Sequence, residues 1–408
     1  MTRQNLCRIL TIPFFGALLL AVGCGGSSPV ATPPQTITNN GGNVQPITVS
    51  LGPEGNYPDG AFTSVTVCVP GSTANCQIVD NVLVDTGSFG LRVVGSALGS
   101  LALNQVTVNG NPLAECFSYL DGTFNWGPVQ TADVQMSGEV ASSVPIQVLD
   151  DGFSVIPSAT CSGTPNDTAA TLGANGILGI GPVQYDCGSG CTGNIPAVDQ
   201  YYQCSTTAPS TCAVTSAALN QQVQNPISLF ATDNNGVIVE LPAITSPQTT
   251  LSGTLVFGIG TQSNNGLGSA TVVPMDPNSL SFSTSFEGTN MGDSFIDTGS
   301  NGLFFDSSSS NLPECPDINY YCPTTSANFS AVNSGGGATA SVSFTVFNAD
   351  VLFNSGDPAL PGLAAPADGS FTSFDWGLPF FFGRNVYTSI EGKTAPGGTT
   401  PYFAYPPN

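Results

Sequence analysis

The stretches VDTGSFGLRV (residues 84–93) and FIDTGSNGLF (295–304) share the word Asp-Thr-Gly-Ser. Each copy follows an apolar run, and each continues with Gly-Leu one residue further on. A single copy reads as a strand ending in a turn; two copies, one in each half of the chain, ask for one explanation. Asp85 and Asp297 supply it. Two carboxylates brought within about 3 Å cannot both ionise cheaply, so they hold one proton between them. The ionised partner can take a proton from water while the protonated one donates to a carbonyl, which hydrolyses an amide without a covalent intermediate. The neighbours Thr86, Gly87, Ser88, Thr298, Gly299 and Ser300 are the candidate supports of such a pair. Glycine allows a sharp turn and a close approach of backbone N–H groups to the carboxylate. A threonine hydroxyl can bond across to the opposing loop, and a serine hydroxyl can bond to the outer carboxylate oxygen.

The rest of the composition narrows the chemistry. There is no histidine, which removes Ser-His-Asp and Cys-His machinery and histidine-based zinc sites in their usual forms. No phosphate-binding or dinucleotide glycine fingerprint sits between a strand and a helix. Acid–base work falls to carboxylates, with Tyr or Lys393 as the alternative, and no cofactor and no metal are expected. Beyond Arg3 and Arg8 the only bases are Arg92, Arg384 and Lys393, set against 27 acidic residues. Such a surface repels nucleic acid and anionic membranes, so neither is an expected partner. It also tolerates acid, because self-repulsion falls as carboxylates are protonated.

The elements that must position these residues are strands. With 48 Gly, 32 Pro and many short Val/Ile/Phe-rich segments, the chain reads as all-β with many turns. TSAALNQQVQ at 215–224 is the best helix candidate. Residues 1–23 read as a signal peptide, with Arg3 and Arg8 before the apolar ILTIPFFGALLLAV of 9–22, too short to span a bilayer. The following LLLAVGCGGSS resembles a bacterial lipobox, with Cys24 as the lipidated residue and a plain cleaved signal as the alternative. Residues 24–47 then form a polar tether rich in Gly, Pro and Asn. This leader implies export to the bacterial cell envelope as an outer-membrane lipoprotein, so that the only membrane contact is the lipid, or else secretion or a periplasmic location. Ten cysteines remain beyond Cys24, an even number that argues for disulfides in an exported chain. Cys68 with Cys76 and Cys315 with Cys322 look like local staples, and Cys116 would pair with Cys161. Cys187, Cys191, Cys204 and Cys212 allow three pairings, or a four-cysteine zinc site.

The two loops and the order of the segments around them resemble the pepsin-like aspartic peptidases, in which each of two lobes supplies one such loop. FSYLDGTFNWGPVQTADVQMSG at 117–138 is similar to the flap hairpin of that family, with Tyr119 at the flap tyrosine and Asp121 and Gly122 at its tip. NGILGIGP at 175–182 and DWGLPFFFGRNVYTSIEG at 375–392 resemble the two apolar-Gly segments beside the catalytic loops. NPISLFATDNNGVIVELP at 225–242 and GTLVFGIG at 253–260 resemble the strands that join the lobes. The resemblance covers most of 48–405 and is nearest to an uncharacterised group of bacterial exported proteins, a domain of unknown function placed among pepsin-like folds. It implies an all-β, bilobal fold of two related barrel-like lobes with a cleft between them. The N-terminal lobe would span 48–224, with the first loop, the flap and a Cys-rich insertion, and the C-terminal lobe 225–408. It implies a monomeric aspartic endopeptidase working at acidic pH on a peptide or protein substrate, with Asp85 and Asp297 catalytic, or a binding or scaffold protein that keeps the cleft without cleaving.

Some residues depart from the family pattern. Leu120 replaces the glycine after the flap tyrosine. Arg92 stands where a tryptophan supports that tyrosine, either lying on Tyr119 or placing a positive charge near the pair. Asp375 replaces an apolar residue in the second apolar-Gly segment. Residues 25–47 contain no Lys or Arg that could cover two aspartates.

Overall fold

Short Val-, Ile- and Phe-rich runs between glycine turns become strands in nearly the whole of the computed structural model. It describes residues 42–150, 152–193, 200–206, 210–307, 311–367 and 373–407. The α-helices among the described residues are two short ones, Ala169–Leu172 and Ala349–Phe353. The helix expected at 215–224 is instead a single 3₁₀ turn, Leu219–Gln221. Gln222 there sends its amide to the carbonyls of Gly188 and Ala217, and so serves a loop more than a helix face.

The first half begins with β1 (Val44–Ser50), which starts inside the stretch read as tether, and β2 (Gly60–Cys68). β3 (Cys76–Asp85) and β4 (Phe89–Val94) flank the first Asp-Thr-Gly-Ser loop. β5 (Asn111–Ser118) and β6 (Thr123–Met136) form the expected hairpin around Tyr119. β7 (Glu139–Leu149) and β8 (Gly176–Ile180) complete the frame of the loop. β8 runs parallel to β3 and antiparallel to β4, while β7 runs parallel to β4. Val82, Leu83 and Val84 at the end of β3 are all buried, because strands lie on both sides of them and other layers cover both faces.

β9 (Gly236–Glu240) and β10 (Leu251–Phe257) follow, and β10 pairs with β1 from the start of the chain. The second half then repeats the frame. β11 (Phe282–Phe286) leads through a two-residue turn into β12 (Thr289–Ile296), the strand before the second loop. β13 (Leu303–Phe304) follows that loop. β14 (Ala327–Gly335) and β15 (Ala338–Val346) form a hairpin turning at Gly336 and Gly337, both with positive φ, as a tight two-residue hairpin requires. β16 (Ala364–Ala365) and β17 (Asp375–Trp376) close the frame. β17 runs parallel to β12 and antiparallel to β13, and β16 runs parallel to β13. The four-strand orders β3-β8-β4-β7 and β12-β17-β13-β16 are therefore the same arrangement twice. β18 (Asn385–Ser389) pairs with β9, so the sheet that holds the first half also holds strands from beyond residue 225.

The two frames rest on differently composed parts of one buried cluster. Under the first loop lies an aliphatic layer that includes Val65, Val82, Leu91, Ile146 and Leu178. Behind the second, Phe374 stacks on Trp376 at 3.9 Å between ring centres and on Phe305 at 4.7 Å. Much of the phenylalanine in this sequence is spent there.

Candidate active site

The two loops meet. Thr86 N–H donates to Thr298 Oγ1 at 3.1 Å, and Thr298 N–H donates to Thr86 Oγ1 at 3.0 Å. Each hydroxyl passes its own proton onward, Thr86 to the Ile296 carbonyl at 3.1 Å and Thr298 to the Val84 carbonyl at 2.7 Å. Both threonines are buried, so each loop is pinned to the strand that carries the other. Within each loop the carboxylate accepts from its own turn: Gly87 N–H to Asp85 Oδ1 at 2.8 Å, and Gly299 N–H to Asp297 Oδ1 at 2.7 Å. Ser88 Oγ donates to Asp85 Oδ2, and Ser300 Oγ donates to Asp297 Oδ2 at 2.8 Å.

The glycines face the opposing acid. A Cβ at Gly87 would lie 2.5 Å from Asp297 Cγ, and one at Gly299 would lie 2.7 Å from Asp85 Oδ1. No side chain fits either position. The two carboxyl groups are within hydrogen-bonding reach of each other, and the Asp297 carboxyl is held well above the ordinary carboxylate range. Burial is the main cause, followed by the charge of Asp85, the charge of Asp375 and the hydrogen bond to Asp85, with the Ser300 bond opposing. This environment stabilises a protonated Asp297 facing Asp85, the arrangement needed for one acid and one base on a common water.

The hairpin residues stand as follows. Tyr119 sits at the turn between β5 and β6, half-buried, with its hydroxyl donating to Asn125 Oδ1 at 2.7 Å. Burial pushes its phenol up and Asp85 and Glu115 add to that, while Arg92 opposes. Leu120 is 68% exposed at the tip. Asp121 closes the turn by accepting from Thr123 N–H at 2.8 Å, and Gly122 has a φ of +80°.

Arg92 differs from both expectations. Its guanidinium lies 3.7 Å from the ring centre of Phe117, not on Tyr119, and the residue is wholly buried. It bonds Glu115 at 2.9 Å and Asp186 at 3.1 Å. With two carboxylates beside it, its charge is spent locally. Burial and the neighbouring Glu115 raise Asp186 above the ordinary carboxylate range and so favour its neutral form, while Arg92 and the Tyr201 hydroxyl, which donates to Asp186 Oδ1 at 2.7 Å, oppose this.

The four clustered cysteines form the disulfides Cys187–Cys191 and Cys204–Cys212, which overturns the zinc alternative, since a disulfide sulfur is no thiolate ligand. Cys68–Cys76, Cys116–Cys161 and Cys315–Cys322 pair as expected. Five disulfides go with an oxidising, extracytoplasmic compartment. Among the described residues no helix is long and apolar enough to cross a membrane. The signal segment and Cys24 lie outside the described residues.

Two neighbours of the carboxyl pair carried little signal in the sequence. Tyr57 comes from the turn-rich LGPEGNYPDG between β1 and β2, and its hydroxyl donates to the Gly299 carbonyl at 2.8 Å. Burial and then the charges of Asp85 and Asp297 raise its phenol. Nothing in a Gly/Pro-rich loop marks one tyrosine for that place. Asp375 stood out only as a departure from the family pattern; in the fold it is a third acid near the other two.

The crystal structure of the aspartic proteinase from Irpex lacteus is similar at 16% sequence identity and a TM-score of 0.47, over 90% of this chain and 97% of that one. No curated protein matches the chain. The family described as a protein of unknown function (DUF3443) matches residues 39–405. That match spans nearly the whole of the chain, which therefore belongs to the DUF3443 family.

Proposed function

We propose that this protein is an exported aspartic endopeptidase that hydrolyses peptide bonds with a water held between Asp85 and Asp297. The observation that carries the reading is the reciprocal bonding of two like loops, which sets two carboxyl groups face to face with no side chain between them. Asp297, protonated, donates to the scissile carbonyl oxygen. Asp85, ionised and steadied by two turn N–H groups and Ser88, takes a proton from the water as its oxygen attacks the carbonyl carbon. The tetrahedral intermediate then collapses as the amine leaves with a proton. Both halves of this traffic need one shared proton, so activity belongs to the acid range.

The decisive assay follows an unfolded protein substrate between roughly pH 3 and 5, where such a pair shares its proton. Cutting is expected, with block by a statine inhibitor that resembles the hydrated amide and no effect of chelators or serine-directed reagents. Asp85→Asn and Asp297→Asn should each abolish it. Disulfide-bonded wild-type protein that cuts nothing between pH 2 and 7 and binds no statine would leave a non-catalytic binding or scaffold protein. The leader supports a lipid anchor at Cys24. Labelling with a palmitate analogue in a bacterial host should mark the protein, and Cys24→Ala should remove the label. Unlabelled wild-type protein in the medium would favour plain secretion.

A further inference from the structure

The hairpin around Tyr119 does not stand alone. A lone two-stranded hairpin is marginal in water, but both edges of this one are taken. On one side β5 pairs antiparallel with the short strand Tyr201–Cys204, which pairs in turn with Cys212–Val214. On the other side β6 runs parallel to Thr164–Pro165. The hairpin is therefore the middle of a five-stranded sheet. Cys116–Cys161 joins β5 to the segment that leads into the far edge, and Cys204–Cys212 joins the two strands of the near edge. Further bonds run out from the hairpin backbone. Cys116 N–H donates to the Gln200 carbonyl at 2.9 Å, and Trp126 N–H donates to Asp167 Oδ1 at 2.7 Å. At the turn itself the Gly122 carbonyl accepts from Thr164 N–H at 3.0 Å.

Asn125 carries this brace to Tyr119. It is wholly buried in β6, and its Nδ2 donates to the Asn166 carbonyl at 2.6 Å. A carbonyl only accepts, so the amide has one orientation, and its Oδ1 is left to accept from the Tyr119 hydroxyl at 2.7 Å. The Tyr119 ring meets Phe117 edge-on at 5.0 Å. It also packs against a cluster that holds Leu83 and Val94, from the strands on either side of the first loop. With its one proton committed to Asn125, the hydroxyl can serve a bound peptide only as an acceptor, and so suits a backbone N–H.

We propose that this hairpin is a fixed wall of the site, not a moving lid, and that Asn125 is the positioning residue that sets Tyr119 in it. An extended substrate then enters a site already shaped, with no closure step to wait for. The wall stands whatever the carboxyl pair does; the catalytic use of Asn125 rests on the peptidase reading.

Two measurements do not depend on proteolysis, and both use full-length protein with its disulfides intact. The first is amide hydrogen exchange by NMR at pH 7. The amides of Cys116 and Trp126 point out of the hairpin, so they should exchange more than about a hundredfold slower than in an unstructured chain. Exchange near the unstructured rate would overturn the fixed wall. The second follows tyrosine labelled with ¹³C at Cζ, at pH 4 in an Asp85→Asn background to prevent self-digestion. The Tyr119 signal, identified by its loss in Tyr119→Phe, should shift in Asn125→Leu. It should return towards its first position in Asn125→Asp, whose neutral carboxyl can make the same two bonds. A signal that Asn125→Leu does not move would overturn the Asn125 contact. The third measurement rests on the peptidase reading. Asn125→Leu should lower kcat/KM about tenfold, and Asn125→Asp should recover most of it in the acid range. Adding Tyr119→Phe to Asn125→Leu should cost little more, as expected of residues that act through one contact. No loss in Asn125→Leu, no recovery in Asn125→Asp, or losses that multiply in the double variant would overturn the positioning role. Protected amides and a shifted Tyr119 signal in a protein whose wild type cuts nothing would sink the peptidase reading alone.

Discussion

Replacing Arg92 by Met isolates the buried charge cluster beneath the hairpin. In the native protein the guanidinium faces Glu115 and Asp186, and burial with Glu115 favours the neutral form of Asp186, so that one positive charge is set against one carboxylate. Without Arg92 the remaining carboxylate has no cation and is expected to take up a proton. Holding neutral a carboxyl whose ordinary value is about 4.3 costs about 4 kcal/mol at pH 7 and less than about 1 kcal/mol at pH 4.5. The bond to the Phe89 carbonyl at 2.6 Å and the contact with Phe117 are lost as well, which adds about 1 kcal/mol at any pH. The total is about 5 kcal/mol at pH 7, the upper part of the range for breaking a buried ion pair. The sign follows from linkage. An acid raised in the folded state contributes its full stability below its unfolded value and loses it as pH rises through the folded one. The deficit of Arg92→Met should therefore grow from pH 4.5 to 7. Urea unfolding of wild type and variant at both pH values measures it, in an Asp85→Asn background to prevent self-digestion. A deficit of equal size at the two pH values would refute the neutral-acid argument, and one below about 1 kcal/mol at pH 7 would refute the cluster's role as an ion pair.

Asp297→Asn should be more stable than wild type at pH 7 and no more stable at pH 3. The reason is that Asp297 is raised in the fold and loses stability on ionising, whereas Asn does not titrate; urea unfolding at the two pH values checks this. Removing the Cys116–Cys161 disulfide, with its sequence separation of 45, should cost about 4 kcal/mol by the loop-entropy relation. Removing Cys187–Cys191, with a separation of 4, should cost about 2 kcal/mol, and thermal unfolding of the paired serine variants should rank them in that order.

The sequence by itself determined the all-β character, because turn glycines and β-branched runs act over a few residues, and the hairpin around Tyr119 followed from the likeness of residues 117–138 to a known flap. It also determined which acids to watch, because the repeated Asp-Thr-Gly-Ser is a local word. Which residues meet in space was not local. Cys187, Cys191, Cys204 and Cys212 left three pairings open until the strands fixed them. Residues 44–47 looked like tether because their strand partner lies at 253–256, far along the chain. Arg92 was assigned to Tyr119 or to the carboxyl pair, and only the packing of β4 against β5 set it between Glu115, Asp186 and Phe117. Tyr57 and Asp375 reach the pair from strands and loops with no sequence relation to the repeated word. A carboxyl group's protonation depends on what surrounds it within a few ångströms. Tertiary structure alone decides those neighbours, and here it set a third acid next to two that the sequence had already named.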